Sequence, residues 1–145
     1  MRNLLLAILL LTPWAVQAHD FTGQWSIDLR SPADIAANVE CGTATFQLVQ
    51  TSDRIVGDYS YATPRCGRLN EGPAESVKGI VVAPGKAVLV VTSGRSGAIA
   101  FGVATLLSDG HMSWELTDYV SQGEPQGDDL IISHGQLSRK TKAAI

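Results

Sequence analysis

The sequence predicts an all-β protein, an eight-stranded up-and-down antiparallel barrel with one short helical turn after the first strand. Three observations carry this prediction. Eight short runs of β-type composition follow one another between Phe21 and Arg139, tight turns alternate with longer connections, and no window of ten or more residues has a helical period. Eight consecutive antiparallel strands close most simply into a barrel, because closure removes the exposed edges. An open sandwich of two four-stranded sheets is the main alternative.

The first run is the clearest strand, because Phe21, Trp25 and Leu29 share one face of a strict alternation with polar residues. The predicted strands are Phe21–Arg30, Thr43–Gln50, Arg54–Ala62, Ser76–Ala83, Lys86–Thr92, Ala98–Leu107, His111–Leu116 and Asp129–Leu137. The composition of the fourth, fifth and sixth strands leaves open which of their faces is buried. After the first strand, Ser31-Pro32-Ala33-Asp34 forms a capping-box pattern, which predicts about one turn of helix that ends before Cys41.

Residues 1–18 have the features of a cleavable secretory signal. Arg2 gives a positive start, Leu4 to Leu11 is uninterrupted apolar sequence, and Val16-Gln17-Ala18 places small residues at a signal-peptidase site. The apolar stretch is too short to span a bilayer well, so a retained membrane anchor is the weaker interpretation. We therefore expect a periplasmic or secreted protein whose residues 19–145 form one β-barrel domain, with residues 138–145 as a frayed tail.

Charge argues against one class of partner, and the cysteine content argues against two kinds of site. The chain carries 11 basic and 14 acidic residues and contains no basic run, which argues against nucleic acid as a partner. Its only cysteines are Cys41 and Cys66. In an exported chain, an even pair of cysteines predicts a disulfide bond rather than a metal site or a catalytic thiol.

The connections predict two unlike ends of the barrel. In an up-and-down sheet, alternate connections lie at opposite ends, and one end carries only the tight turns at Ser52-Asp53, Pro84-Gly85 and Asp109-Gly110. The other end carries four longer connections, residues 31–42, 63–75, 93–97 and 121–128, and both cysteines fall among them. Elaborated loops on a rigid scaffold are where function usually lies, so we place the functional site at this end.

Four polar residues of these longer connections form the candidate binding site, namely Arg68, Asn70, Ser93 and Arg95. Guanidinium groups beside Gly-rich turns suit a carboxylate, a phosphate or an acidic side chain of a partner. The competing interpretation is that Arg68 and Arg95 only form surface ion pairs with Glu71 or Asp128. No nucleotide loop, catalytic triad or metal triad is apparent, so we expect a binding protein without a cofactor rather than an enzyme, recognising a small ligand or a partner protein.

The opening Phe21-Thr22-Gly23-Gln24-Trp25 resembles the Gly-x-Trp start of the lipocalin and avidin barrels. The resemblance implies that Trp25 plugs the closed end of the barrel near a basic residue of the last strand, for which Arg139 is the candidate. Gly57-Asp58-Tyr59 is similar to the Gly-x-Tyr of the third avidin strand. Only Trp25 and Trp114 lie outside the signal, whereas several tryptophans wall the biotin pocket of avidin. The resemblance therefore implies the fold and not biotin binding.

Two other functions stay open. Ser93-Gly94-Arg95 resembles the Ser-Gly loop that small periplasmic lysozyme inhibitors insert into the lysozyme cleft, although the aromatic residue that follows in those families is missing. Cleavage after Ala18 would place His19 at the N-terminus, and an N-terminal His binds copper through its amine and its ring. His111 falls at the same predicted end as His19 and could complete such a site.

Overall fold

The computed structural model describes residues 20–124 and 128–140 and forms a closed antiparallel barrel. The elements are β1 (Gly23–Asp28), α1 (Pro32–Ala36), β2 (Cys41–Thr51), β3 (Arg54–Pro64), β4 (Leu69–Glu71), β5 (Val77–Ala83), β6 (Lys86–Thr92), β7 (Ile99–Leu106), β8 (Met112–Ser121) and β9 (His134–Lys140). The strand order is β2-β1-β9-β8-β7-β6-β5-β3, and an additional β2–β3 pairing closes the ring. The predicted eight-stranded barrel is confirmed.

The ninth strand, β4, does not widen the ring. It pairs with the upper part of β3, at Ser60–Ala62, whereas β5 pairs with the lower part of β3, at Arg54–Gly57. β4 and β5 therefore pair with successive parts of β3 and together count as one strand position of the ring. The turn around Glu75, whose φ is 57°, separates them. The sequence pattern does not predict β4, which lies inside the predicted connection 63–75.

The structure resolves which faces of the middle strands are buried. Ala87, Leu89 and Val91 of β6 point inward, and so do the small residues Ala100, Gly102 and Ala104 of β7. At position 102 only glycine fits, because a Cβ there would overlap the backbone oxygen of Glu115 and the indole of Trp114. The larger residues of β7 consequently lie on the outer wall of the barrel.

The predicted helical turn is confirmed. Ser31 Oγ accepts the backbone N–H of Asp34, the Asp34 carboxylate accepts the backbone N–H of Ser31, and Pro32 occupies the first turn. These hydrogen bonds satisfy donors that a five-residue helix would otherwise leave unpaired. Hydrogen bonds from the Ser31 hydroxyl and backbone lower the pKa of Asp34, so the capping carboxylate is ionised at neutral pH.

Trp25 closes the lower end of the barrel, the end with the tight turns. Its side chain is 2% exposed, and its Nε1 donates to the carbonyl oxygen of Phe21 at 2.8 Å. The guanidinium of Arg139 stacks 4.5 Å above the indole and donates to the Asp20 carbonyl oxygen at 2.5 Å. The geometry expected from the Gly-x-Trp resemblance is therefore present, with Arg139 as the basic residue.

The prediction for the last strand was wrong at both bounds. β9 covers His134–Lys140 rather than Asp129–Leu137, and Ser138–Lys140 pair with Gln24–Ser26 of β1. These three residues complete the barrel, so they do not belong to a frayed tail. Residues 141–145 and the predicted signal at 1–18 lie outside the described residues.

Candidate functional site

The interior of the barrel is filled with apolar side chains. Phe46, Tyr59 and Trp114 form an aromatic cluster, with ring centroids 4.8 Å apart for Phe46 and Tyr59 and 5.2 Å apart for Phe46 and Trp114. Leu48, Leu89 and Leu137 pack in the same core, each with no exposed surface. In the part of the chain that the structure describes, the middle of the barrel therefore consists of packed side chains.

A non-strand segment covers the upper end of this core. Residues 128–133, here called the closing segment, run across the top of the barrel before β9 begins. Ile131 and Ile132 belong to the core cluster. The backbone N–H of Ile132 donates to the Tyr59 hydroxyl at 3.0 Å, and Trp114 Nε1 donates to the Ile132 carbonyl oxygen at 2.8 Å. These bonds satisfy backbone groups of a buried segment that has no strand partner there.

Asn70 joins the closing segment to two other connections. The side chain has no exposed surface, and its Nδ2 donates to the carbonyl oxygens of Asp129 at 3.0 Å and Leu130 at 3.3 Å. Its Oδ1 accepts the backbone N–H of Gly94 at 3.0 Å. These three hydrogen bonds involve both Nδ2 and Oδ1 of the side chain. The buried Asn70 therefore holds the connections of the upper end together.

Ser93 has a similar internal role and is 1% exposed. Its hydroxyl donates to the Asp129 carbonyl oxygen at 2.7 Å and accepts the backbone N–H groups of Arg95 and Ser96 at 3.2 and 3.3 Å. The same loop also accepts a hydrogen bond from Glu124 N to the Ser96 carbonyl oxygen at 2.9 Å. Consequently, Gly94 and Arg95 are the exposed residues of the Ser93-Gly94-Arg95 motif.

The disulfide bond fixes the remaining connection. Cys41 and Cys66 are bonded, with their Cα atoms 5.3 Å apart, which confirms the predicted pairing. Close to it, Arg65 contacts the Asp34 carboxylate at 2.9 Å and donates its backbone N–H to the Glu40 carbonyl oxygen at 2.8 Å. The connection that holds α1 is therefore tied to the connection that holds β4, and all four upper connections form one bonded surface.

A shallow cleft of about 360 Å³ lies on this surface, beside the closing segment. Its lining residues are Leu29, Tyr61, Arg68, Asp128, Asp129, Leu130, Ile131, Ile132, Ser133 and His134. The guanidinium of Arg68 forms an ion pair with the Asp128 carboxylate at the cleft. This ion pair is one of those named in the competing interpretation of Arg68.

The two arginines of the candidate site differ in their surroundings. The Arg68 side chain is 52% exposed despite its pairing with Asp128. Arg95 is exposed at the tip of the loop, and among residues 20–124 and 128–140 no carboxylate lies within 4.0 Å of its guanidinium. Near the closing segment, burial and a hydrogen bond with the Asp129 carboxylate raise the pKa of Tyr119 to about 12.

The structure describes only part of the alternative copper site, because His19 lies outside the described residues. His111 Nδ1 is 3.1 Å from Asp109 Oδ1 in the turn between β7 and β8. Over the described ranges, no group of three or more His, Cys, Asp or Glu side chains is arranged to hold a metal ion.

No helix within residues 20–124 and 128–140 has the length and the apolar composition needed to cross a membrane.

Comparisons with family models, with curated proteins and with solved structures found no match.

The structure brings all four predicted site residues to the same end of the barrel but divides them into two kinds. Asn70 and Ser93 are buried and hold the closing segment, whereas Arg68 and Arg95 are exposed. Tyr61 and Leu29, which line the cleft, and the closing segment itself were not predicted from the sequence. One signal for the closing segment was available, because Leu130-Ile131-Ile132 is a run of three apolar residues that breaks strand alternation.

Proposed function

We propose that the protein is an exported binding protein that recognises an acidic group of a partner protein through the upper end of its barrel. The observation that supports this proposal most directly is the filled interior of the barrel. A core of packed aromatic and aliphatic side chains favours recognition by the surface loops over binding of a ligand inside the barrel. Export is supported by the disulfide bond and by the signal-like residues 1–18.

The rigidity of the upper end supports recognition at this surface. Loop ordering on binding costs free energy, and loops that are already cross-bonded avoid most of that cost. Asn70, Ser93 and the Cys41–Cys66 disulfide fix the backbone on which Arg68 and Arg95 stand. Guanidinium groups bind carboxylates with two parallel hydrogen bonds, so an aspartate or glutamate of the partner suits these side chains.

The relation to calycin-type barrels is part of the same proposal. The eight-stranded ring, the Gly-x-Trp opening and the stacking of Arg139 on Trp25 accord with a lipocalin- or avidin-like protein. Among the other functions, lysozyme inhibition through Ser93 is less favoured, because the Ser93 hydroxyl is already bonded inside the protein. Copper binding depends on His19 and is tested separately by metal titration.

The main test is a pair of double variants with equal loss of charge. Arg68→Ala with Arg95→Ala removes two cations from the upper end, and Arg54→Ala with Lys140→Ala removes two from the lower end. A tagged protein is used to capture partners from an extract of the source cells, and cross-linking followed by mass spectrometry maps the contact. We expect capture to fail for the upper pair only, with melting temperatures close to the parent protein, since exposed ion pairs contribute about 0.2–1 kcal/mol.

Two results would contradict the proposal. One is equal capture by the parent and the upper double variant, and the other is cross-links that map to the lower end. If the upper variant unfolds, Arg68→Lys with Arg95→Lys retains the charge and removes the paired hydrogen bonds. Retention of full capture by this conservative variant shows that charge suffices, whereas loss of capture supports bidentate recognition.

A small anionic ligand is the second candidate, and the cleft beside Arg68 favours it. Short carboxylates and inorganic phosphate can be titrated while the amide resonances are followed by NMR. Saturable shifts at Leu29, Tyr61 and Arg68, removed by Arg68→Ala, would support a ligand in the cleft. Absence of saturable shifts at these residues would exclude these anions as ligands.

A further inference from the structure

The outer wall of the barrel carries an apolar face on three neighbouring strands. The outward residues are Ile80 and Val82 of β5, Val88 and Val90 of β6, and Ile99, Phe101 and Val103 of β7. Val82 is 54% exposed and Ile80 is 41% exposed, while the others are half-buried by their neighbours. A contiguous apolar face that includes exposed side chains marks an interaction surface.

The strand register places opposite charges on the two sides of this face. One row across the sheet reads Lys78, Val90, Phe101 and Asp118 from β5 to β8. The row below reads Ile80, Val88, Val103 and Glu115 on the same four strands. Both rows therefore have apolar side chains on β6 and β7 and an anion on β8, and the first row also has a cation, Lys78, on β5.

A surface with this arrangement is complementary to itself. A twofold axis that runs parallel to the strands, between β6 and β7, exchanges β6 with β7 and β5 with β8. Val90 of one copy then faces Phe101 of the other, and Lys78 faces Asp118. A twofold axis perpendicular to the strands would instead place like charges together, so the charge pattern selects one of the two arrangements.

We propose that this face binds a second copy of the chain and forms a twofold dimer through β5, β6 and β7. The ring supports association by faces, because among the described strands the β2–β3 pairing closes the barrel and only the three-residue strand β4 ends the sheet. The upper ends of both copies lie on the same side of such a dimer. A partner with two acidic groups could then engage both copies at once.

Sedimentation velocity of the purified, disulfide-bonded protein over a wide concentration range tests the dimer. We expect a reversible monomer–dimer equilibrium that Phe101→Asp abolishes. The matched control is Val49→Asp, since Val49 is 55% exposed on the outer face of β2, away from β5–β7. A protein that is monomeric at every concentration, or a Val49→Asp variant as defective as Phe101→Asp, would overturn the proposal.

A charge exchange tests the orientation. Lys78→Glu alone and Asp118→Lys alone should each weaken the dimer by roughly tenfold or more, because each places like charges in contact. The two changes together restore opposite charges and should return the dissociation constant close to that of the parent. Melting temperatures establish that each variant is folded. Failure of the double variant to recover while it remains folded would rule out the proposed twofold arrangement.

Discussion

The side-chain amide of Asn70 donates to the carbonyl oxygen of Asp129, which lies 59 residues later in the chain, across 3.0 Å. This hydrogen bond joins the short strand β4 to the closing segment. The same amide group accepts the backbone N–H of Gly94, so one side chain connects three of the four upper connections. The surface that we propose to be functional thus depends on a residue that no partner can reach.

Replacing Asn70 by Ala should therefore destabilise the protein by about 2–4 kcal/mol, because buried backbone groups of Gly94, Asp129 and Leu130 lose their partners. Urea denaturation followed by tryptophan fluorescence measures the free energy of unfolding. Gln47→Ala, on the exposed side of β2, is the control and should change this free energy by less than about 0.5 kcal/mol. Equal effects of the two changes would contradict the assigned role of Asn70.

Trp25→Ala should lower the free energy of unfolding by about 3–5 kcal/mol, because the indole is buried and its loss leaves a cavity at the lower end. Arg139→Met retains much of the aliphatic packing but removes the cation above the ring. Its effect should be smaller, about 0.5–2 kcal/mol. Thermal or urea unfolding compares the two variants. A loss below about 1 kcal/mol for Trp25→Ala would mean that the indole does not close the barrel.

The Cys41–Cys66 disulfide should contribute about 3–4 kcal/mol through the loop that it closes in the unfolded chain. Replacing both cysteines by Ala, compared with the oxidised parent in urea denaturation, measures this contribution. We also expect faster hydrogen exchange at Asp34 and Arg65 in the variant, because the bond joins their two connections. Unchanged stability together with unchanged exchange would show that the bond is dispensable.

Stability should fall as the pH rises above about 10, where tyrosines ionise in the unfolded chain. Burial raises the pKa of Tyr59 well above its ordinary value, and the pKa of Tyr119 rises to about 12. A group whose folded pKa is raised stabilises the fold fully below its unfolded pKa, and this stabilisation is lost as the pH rises through the folded pKa. The free energy of unfolding between pH 8 and pH 11 should thus decline less steeply in Tyr59→Phe than in the parent. An equal decline of the free energy of unfolding with pH in the parent and in Tyr59→Phe would contradict the raised pKa of Tyr59.

The sequence predicted those features that depend on local chemistry. The alternation around Trp25 predicted β1, the Ser31-Pro32-Ala33-Asp34 pattern predicted α1, and three tight turns predicted the lower end. The disulfide was predicted because exported chains oxidise paired cysteines. In each case, a pattern of neighbouring residues or the number of cysteines was sufficient for the prediction.

The features that the sequence did not predict depend on contacts between distant residues. Nothing local distinguishes Asn70 and Ser93, which are buried, from Arg68 and Arg95, which are exposed. The apolar residues Leu130 and Ile132 were assigned to a strand, but the hydrogen bonds that they make with Asn70, Tyr59 and Trp114 replace a strand ladder. Their partners lie at least 18 residues away in the chain. A periodicity read over a few neighbouring residues cannot detect such partners.

The bond from Arg139 to the Asp20 carbonyl oxygen spans 119 residues, so the ring closes only when the two ends of the domain meet. Bringing such distant residues together costs loop entropy before any contact is gained, which makes closure a late and slow event in folding. Until then, β1 and β8 are open edges that can pair with other chains. Aggregation during synthesis and refolding yield should therefore depend on β9 more than on any loop at the upper end.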